Sequence, residues 1–362
     1  MRFYKNILTM KIVICPDSFK GSLNSIEISE IIAEILKKEI PNLEIITVPL
    51  ADGGEGTAEI IKNYGYPNVK VTMARDPLNR NIPVKYYTDK KEEKIFIESA
   101  EIIGLPLLKK EERNPFVATS YGLGEIIKEA ISKGAKEITV SLGGSATCDG
   151  GKGMLLALEN FKSNHVKFRI ICDVNNPLLG NEGAVMTFAI QKGAKVNDLP
   201  ILEKRITEFV DYLISKGICK QKDVEKKGAG AAGGLGFTFQ TIFNAETLKG
   251  IDFIMSTVNF DSKIRDASFL ISGEGKIDKQ SLMGKVLNGV LRKGKESGIP
   301  VIALGGIVED KEDLINSGID MIYEIRDKNL SLEENMKPEK TKENIKKAIK
   351  ELLKNNIFKQ KE

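Results

Sequence analysis

Carboxylate residues stand beside glycines at several points of this sequence. Asp17 opens a short loop that ends in glycine, and Asp52 and Glu55 flank the pair Gly53 and Gly54. Four further carboxylates have similar positions: Asp149, Asp173, Glu274 and Asp278. Mg²⁺ prefers oxygen ligands and usually bridges one or two carboxylates to the phosphates of a substrate. Each carboxylate alone is a common cap or turn residue, so it is their repetition that indicates a site for a metal and a phosphate.

Lysines accompany these carboxylates. Lys20, Lys276 and Lys285 lie in or near the same segments. A single exposed lysine is ordinarily a solvated charge. Beside glycine loops and carboxylates, however, an ammonium group can hold an organic acid or a phosphate, and the sequence therefore favours an anionic ligand.

Glycine-rich loops could supply backbone N–H groups to such an anion, because the first N–H groups of a helix lack partners inside the helix and the helix dipole favours negative charge. Glycine allows the ligand to approach the backbone closely. The sequence contains five such loops: Gly53 to Gly56, Gly143 to Thr147, Gly150 to Gly153, Gly228 to Gly236, and Gly273 to Gly275. One of them alone would be read as a turn, whereas five predict phosphate binding.

Three familiar sites are not supported. The Walker pattern GxxxxGK[ST] does not occur,. Residues 228–233 match GxGxxG, but they follow a charged stretch instead of a strand, so the dinucleotide fingerprint lacks its context,. Dense glycine there would instead let a helix start pack close to another backbone or to a ligand. His165 is the only histidine, its surroundings are polar, and GxSxG is absent, so hydrolase chemistry finds little support.

Buried strands are predicted directly before most of these loops. Their segments are rich in β-branched residues: 10–15, 44–50, 137–142, 167–172, 269–272, 300–304 and 321–325,. Helices are predicted to follow, the first of them with Ser25 as N-cap and the last from about Thr341, also as N-cap,. Open α/β sheets bind ligands at the carboxyl ends of their strands, which is where these loops would lie.

Strands and helices alternate at both ends of the chain, which predicts an α/β fold with a parallel sheet. The N-terminal units are too few to form a stable sheet alone. We therefore expect residues 1–65 and 262–362 to share one Rossmann-like parallel sheet. Between residues 69 and 99, short strands separated by turns interrupt the alternation,. Residues 66–261 are predicted to form a second, inserted α/β domain.

Composition narrows the range of partners. The 54 basic and 50 acidic residues give a net charge of +4 without a basic cluster, so nucleic acid is not an expected partner. The four cysteines form no CxxC pair, which fits reduced thiols in the cytoplasm. No apolar run approaches the length of a membrane span, so no membrane partner is expected. A homodimer is left open.

The chain resembles the type I glycerate kinases, which phosphorylate D-glycerate with ATP and Mg²⁺. The resemblance rests on six blocks that occur in the order of that family: residues 16–22, 51–57, 143–151, 172–178, 228–236 and 273–280. Any one block is a weak signal, but together they are specific. The family architecture, a Rossmann-like domain with a second α/β domain inserted, agrees with the predicted boundaries.

The resemblance implies a role for each block. Asp17, Lys20 and Asp52 would face the acceptor, with Asp17 or Asp52 orienting or deprotonating its hydroxyl. Ser18, Gly53, Gly54, Glu55, Asp173 and Asn176 would bind the substrate. Gly143, Gly144, Ser145, Thr147, Gly230, Gly233 and Gly234 would hold the phosphates of ATP, and Glu274 or Asp278 would bind Mg²⁺.

Two departures from the family pattern are visible. Cys148 stands where the family typically has asparagine, and the stretch between residues 158 and 170 is short. The favoured function is a D-glycerate kinase that forms 2-phosphoglycerate or, as the less favoured product, 3-phosphoglycerate. Two alternatives to this function stay open. One is a kinase for a longer sugar acid, and the other is a protein that binds a small acid without catalysis.

Overall fold

The computed structural model describes residues 10–54, 56–159, 165–282 and 284–355. Its strands are β1 (Lys11–Ile14), β2 (Glu44–Thr47), β3 (Asn68–Arg75), β4 (Asn81–Thr88), β5 (Lys94–Glu98), β6 (Glu137–Ser141), β7 (Lys167–Ile171), β8 (Glu246–Leu248), β9 (Phe269–Ile277), β10 (Val301–Val308) and β11 (Met321–Glu324). Its α-helices are α1 (Ser25–Glu39), α2 (Thr57–Tyr64), α3 (Ala100–Ile103), α4 (Tyr121–Ser132), α5 (Lys152–Ala157), α6 (Ala184–Phe188), α7 (Leu199–Ser215), α8 (Ala231–Ile242), α9 (Gly250–Thr257), α10 (Phe260–Ile264), α11 (Val286–Ser297), α12 (Lys311–Asn316), α13 (Leu332–Asn335) and α14 (Pro338–Lys354).

The chain divides into two compact units. The first contains residues 1–60 and 250–362, and the second contains residues 61–249. Residues 250–261, which the sequence led us to assign to the inserted part, group with the first unit. The independence of these units as domains remains a prediction.

The first unit is built on a parallel sheet with the strand order β2-β1-β9-β10-β11. Ile12, Val13 and Ile14 of β1, an internal strand, are fully buried, as expected for a strand covered on both faces. After β1 the chain adds β2 on one side of it, and β9 later joins its other side. The predicted α/β fold, with a parallel sheet formed by both ends of the chain, is confirmed. The order reverses between β1 and β9, and open α/β sheets bind ligands at such a switch point.

The N-cap of helix α1 lies one residue earlier than the sequence predicted. Asn24, not Ser25, is the N-cap: its side chain accepts from the Glu27 N–H at 2.8 Å, and the Glu27 carboxylate accepts from the Asn24 N–H at 2.9 Å. This reciprocal pair satisfies two N–H groups that would otherwise lack partners. Ile28 and Ile32 lie on the buried face, where each contributes about 1.5–3 kcal/mol by leaving water.

Helix α14 also begins before its predicted position. It starts at Pro338, a residue that fits the first turn because the missing N–H needs no partner there,. The predicted N-cap Thr341 is therefore inside the helix, and its hydroxyl donates to the Asn335 carbonyl at 2.8 Å. No helix among the described residues is long and apolar enough to cross a membrane.

The second unit contains a mixed sheet with the order β3-β4-β5-β6-β7-β8. Strand β4 pairs antiparallel with both β3 and β5. Strands β5, β6, β7 and β8 run parallel to one another. Leu123 and Ile127 of α4 pack against Ile138 and Val140 of β6 in one buried cluster. The carboxyl ends of the parallel strands β6 and β7 carry the loops that begin at Gly143 and Asp173.

Candidate functional site

Asp17 lies at the switch point of the first unit because the sheet continues past the end of β1. The Asp17 N–H donates to the Gly273 carbonyl at 2.8 Å, and the Leu50 N–H donates to the Pro16 carbonyl at 3.0 Å. These bonds tie the loop after β1 to the chain on both sides of it. The carboxylate of Asp17 is thereby placed just beyond the carboxyl end of β1, beside the continuing strand β9.

A cavity of about 330 Å³ opens at this edge. We call it the first-unit cavity, and its lining includes side chains of both polarities. The charged members are Asp17, Lys20, Asp52, Glu274, Lys276, Lys285 and Arg326. The uncharged members include Ser18, Phe19, Ile307, Ile325, Leu332, Asn335, Met336 and Asn344. Of the predicted site residues, Asp17, Ser18, Lys20, Asp52 and Glu274 are therefore brought together.

The Asp17 carboxyl group titrates near neutrality. Its side chain is 4% exposed, and its pKa is raised to about 7. Burial is the largest cause, because a charge loses its hydration, and the negative charges of Asp52 and Glu274 add to it; the Ser18 N–H, which donates to Oδ1 at 2.7 Å, and Lys20 act in the opposite direction,. A carboxylate with such a pKa can accept a proton at physiological pH.

Glu274 places a carboxylate without a full set of partners in the same cavity. It lies on β9 opposite Gly305 and is 6% exposed. Its Oε1 atom is buried and has no hydrogen-bond partner among the described residues. Burial raises the pKa of this carboxyl group, with opposing contributions from Ser281 and Lys285 and further increases from Asp278 and Asp52. A buried oxygen of this kind can be satisfied by water, by a cation or by a donor group of a ligand.

Asp52 is held by the loop that it begins. Its Oδ1 accepts from the Gly54 N–H at 3.1 Å, which forms a local Asx-type turn. A Cβ atom at Gly250, the first residue of α9, would lie 1.7 Å from the Asp52 carbonyl oxygen. Glycine at position 250 thus lets α9 pack closely against this loop. Gly53 lies in the same turn, and Glu55 lies outside the described residues.

Asp278, the alternative metal ligand, does not line the first-unit cavity. Its carboxylate lies 3.3 Å from the Lys276 ammonium group and accepts from the Gln280 N–H at 2.9 Å. Burial acts to raise its pKa, but the bonds to Lys276 and Gln280 outweigh this and hold the pKa below its usual value. Among the described residues, no group of three or more His, Cys, Asp or Glu side chains is arranged to hold a metal ion by itself.

The glycine loop after β6 belongs to the second unit and is fixed at both ends. The Gly144 carbonyl accepts from the Leu105 N–H at 2.8 Å, and the Ala146 N–H donates to the Ile103 carbonyl at 2.8 Å. Gly143 and Gly144 are exposed, whereas Ser145 and Thr147 are buried. The exposed half of the loop is therefore the part that a ligand can reach.

The second glycine loop packs against the first. A Cβ atom at Gly233 would lie 1.9 Å from the Thr147 carbonyl oxygen, and one at Gly234 would lie 2.8 Å from the Cα atom of Gly150. The Gly150 N–H donates to the Gly233 carbonyl at 2.9 Å. Of the two explanations that the glycine density left open, close approach to another backbone is the one observed at Gly233 and Gly234.

A third loop follows β7 and joins these two. The Gly230 N–H donates to the Asn176 carbonyl at 3.0 Å, and the Asn176 side chain donates to the Glu182 carbonyl at 2.7 Å. Asp173 is exposed at the start of this loop. The second unit thus gathers the segments that begin near residues 143, 173 and 228.

Asp149 serves this unit as an internal anchor. Its Oδ2 accepts from the Ser120 N–H and hydroxyl group, both at 2.8 Å, and from the Gly153 N–H at 3.1 Å, while Oδ1 accepts from the Gly151 N–H at 3.0 Å. With both oxygens occupied by the protein, this carboxylate has the bonding of a structural residue and not of a metal ligand.

Lys192 was missed by the sequence reasoning. It is 3% exposed, and its ammonium group donates to the Thr147 carbonyl at 2.8 Å and the Ser145 hydroxyl at 3.2 Å. Burial lowers its pKa, and Cys148 and Asp149 partly offset this effect. A lysine is rarely buried unless its ammonium group is satisfied. Nothing in the local sequence distinguishes this lysine from the exposed Lys195, so no signal could have found it.

Comparison with known proteins gives the relationship of the chain. The model of the glycerate kinase family matches residues 12–162 and 159–356. The chain belongs to the glycerate kinase family. Relatives at similar distances include a glycerate kinase of Bacillus subtilis, 35% identical over 87% of this chain and 90% of the relative, and a glycerate 2-kinase of Escherichia coli, 34% identical over the same shares.

A solved structure agrees with this membership of the glycerate kinase family. The crystal structure of a protein named glycerate kinase 2 from Salmonella typhimurium matches with a TM-score of 0.81 and 30% identity, over 96% of this chain and 98% of that one. The chain is therefore an enzyme of the kinase class, and the family implies the use of ATP.

Proposed function

We propose that this protein transfers the γ-phosphoryl group of ATP to the 2-hydroxyl group of D-glycerate and so forms 2-phosphoglycerate. The observation that carries the proposal is the buried Asp17 carboxyl group, which faces the first-unit cavity with a pKa of about 7. The name of the Escherichia coli relative supports the 2-hydroxyl as acceptor. A cytoplasmic location and a homodimer remain predictions.

Asp17 acts as the general base in this proposal. It accepts the proton of the acceptor hydroxyl as the bond between the acceptor oxygen and the γ-phosphorus forms and the bond from that phosphorus to the β,γ-bridging oxygen breaks, releasing ADP. Lys20 holds the carboxylate of the acid or the moving phosphoryl group. Asp52 orients the hydroxyl, and Ser18, with the loop from Gly53 through Glu55, binds the rest of the acid.

Glu274 is the proposed protein ligand of Mg²⁺. Its buried Oε1 without a partner fits a cation, and Mg²⁺ commonly takes only one or two protein carboxylates. When bound, the metal neutralises charge that develops on the phosphate oxygens. A role for Asp278 as second ligand would require its ion pair with Lys276 to open.

The exposed Gly143 and Gly144 are proposed to bind the phosphates of ATP through their backbone N–H groups, while the buried Ser145 and Thr147 hold this loop in place. Gly233 would support this loop from behind, because it approaches the Thr147 carbonyl too closely to leave room for a ligand, whereas Gly234 packs against Gly150 and Gly230 against Pro177. Asp173 and Asn176 remain candidates for substrate binding.

A coupled assay of ADP release tests the proposed function. Purified protein is given ATP, Mg²⁺ and D-glycerate, with L-glycerate and longer aldonic acids as controls, and ³¹P NMR identifies the product. We expect turnover with D-glycerate that stops when the metal is chelated, and a 2-phosphate. Turnover only with a longer acid would replace the substrate, a 3-phosphate would replace the acceptor, and no turnover with any acid would favour a protein that only binds acids.

Lys192 is proposed as a positioning residue for the phosphate loop. Lys192→Met removes the ammonium group that holds Ser145 and Thr147, so we expect the KM for ATP to rise about tenfold, as the loss of roughly 1.4 kcal/mol gives. Because this residue lines no part of the first-unit cavity, the KM for D-glycerate should stay within about twofold.

The exposed Lys195 provides a matched control for that substitution. Lys195→Met removes the same charge three residues further along the chain, and we expect both KM values to stay as in the unmodified protein. Initial-rate kinetics with each substrate varied in turn measure these values. An unchanged KM for ATP in Lys192→Met, or an equal rise in both variants, would contradict the positioning role.

A further inference from the structure

One part of the first-unit cavity is apolar. Ile307 at the end of β10, Ile325 directly after β11, and Leu332 and Met336 at the two ends of α13 line it. We call these four residues the apolar slot. Ile307 belongs to β10 and Ile325 directly follows β11, whereas Asp52 follows β2, on the other side of β9 in the sheet.

The slot presents large apolar side chains to solvent. Leu332 is 53% exposed and Met336 is 38% exposed, although both lie beside the buried Ile325. Scattered exposed apolar residues need no explanation, but a group that lines a cavity beside charged residues is typical of ligand sites. Methionine in particular adapts its shape to a ligand and contacts aromatic rings favourably.

The outer wall of the slot is held in place by Asn335. The side-chain amide of this residue donates to the carbonyls of Asp327 and Ser331, both at 2.9 Å, and to that of Leu330 at 3.3 Å. Its Oδ1 accepts from the Asp327 N–H at 2.8 Å and from the Asn344 amide at 3.0 Å. Five hydrogen bonds from one buried side chain fix the segment that carries the two exposed apolar residues, so the slot exists before a ligand arrives.

The size of the cavity leaves room for a second occupant. A volume of about 330 Å³ corresponds to about ten waters at roughly 30 Å³ each, which is more than a three-carbon acid fills. The cavity is lined by four cationic side chains, Lys20, Lys276, Lys285 and Arg326, and by three carboxylates. Lys276 is paired with Asp278 and Glu309, and Arg326 with Glu324, and these carboxylates lie outside the lining. The volume, and not a net charge, therefore leaves room for a second occupant.

We propose that the apolar slot binds the planar base of the nucleoside triphosphate. The hydroxylated tail of a longer sugar acid would lose its hydration between these side chains without gaining hydrogen bonds from them, whereas a base presents apolar faces that aliphatic side chains and a guanidinium group such as that of Arg326 can cover. The inference rests on the proposed function, and it assigns the nucleoside to residues 307–336, outside the six blocks on which the family resemblance rests.

Calorimetric titration with ADP and with inorganic pyrophosphate tests the slot directly. The double substitution Leu332→Ser with Met336→Ser removes apolar contact without adding charge, at positions exposed enough to leave the fold intact. We expect it to weaken ADP binding by tenfold or more and to leave pyrophosphate binding within twofold, because pyrophosphate has no base. The KM for D-glycerate should change less than twofold.

The exposed Ile315 of α12, which does not line the cavity, is the matched control. Ile315→Ser should bind ADP as the unmodified protein does, and Met336→Leu, which keeps an apolar side chain in the slot, should retain most of the ADP affinity that the double variant loses. Unchanged ADP affinity in the double variant, or a selective rise in the KM for D-glycerate, would overturn the inference. Because ADP binding is measured without an acceptor, a protein that fails the turnover assay but shows the expected ADP loss would refute the proposed acceptor and retain the slot.

Discussion

Asp17→Asn should lower kcat with D-glycerate by about 10²- to 10⁴-fold, the usual contribution of a general base. Asparagine keeps the shape of the side chain and an oxygen that can accept from the Ser18 N–H, which lies 2.7 Å from Asp17 Oδ1 in the unmodified protein. The amide cannot, however, take a proton. Steady-state kinetics measure the loss. Asp211→Asn, an exposed substitution on α7, is the control and should turn over normally.

The pH dependence of the unmodified protein follows from the same group. Asp17 works as a base only when ionised, and its pKa is about 7. We therefore expect kcat to rise with pH through about 7 and then level off, and this rise should be absent from the residual activity of Asp17→Asn. A flat profile between pH 6 and 8 in the unmodified protein would remove Asp17 as the base and return that role to Asp52.

Stability should change in the opposite direction from activity. The pKa of Asp17 is raised in the folded protein, so this group favours folding most below its unfolded pKa of 3.8, and its contribution is lost as the pH rises through about 7,. Above pH 7 a buried negative charge beside Asp52 and Glu274 remains. Asp17→Asn is therefore expected to raise the melting temperature at pH 8, whereas a lower one would show that the ionised carboxylate stabilises the fold.

Strand ends are local signals, so the sequence predicted that Asp17, Asp52 and Glu274 follow strands of one parallel sheet,. The structure brings the three to one cavity, but β9 continues through Glu274 to Ile277, so the predicted loop from Gly273 to Gly275 is part of a strand. The raised pKa of Asp17 depends on its burial and on the negative charges of its neighbours. Those quantities are set by the pairing of β1 with β9, which lie far apart in the chain, so the sequence left the choice between Asp17 and Asp52 open.

Other misses share this cause. The apolar slot is formed by residues after β10 and β11 that read as an ordinary loop, and Asn335 becomes its anchor only when the carbonyls of Asp327 and Ser331 turn toward it. Lys192 is buried by its tertiary surroundings and not by its neighbours in the chain. The N-cap of α1 was misplaced by one residue because Ser25 and Asn24 are both good caps. Only the reciprocal bonds between Asn24 and Glu27 decide between them.

Gly233→Ala should be the most destabilising of the substitutions considered for the second unit. Gly233 has a φ angle of +67°, and the added Cβ atom would lie 1.9 Å from the Thr147 carbonyl oxygen. The left-handed conformation costs about 1–2 kcal/mol for alanine. The clash must in addition push the two glycine loops apart, since backbone atoms cannot rotate away as a side chain could. A total loss of about 3 kcal/mol or more follows.

Gly134→Ala separates these two contributions. Gly134 also has a positive φ angle, +97°, but no atom lies within 4 Å of the position its Cβ atom would take. This variant should therefore show only the conformational cost of about 1–2 kcal/mol, and its melting temperature should fall much less than that of Gly233→Ala. Hydrogen exchange locates the effect: in Gly233→Ala the Gly150 N–H, which donates to the Gly233 carbonyl, should exchange faster, whereas in Gly134→Ala it should stay protected. Equal destabilisation by both variants would mean that the loop after β6 yields to the new methyl group, and a loop that yields so readily could not hold phosphates in the fixed geometry that phosphoryl transfer needs.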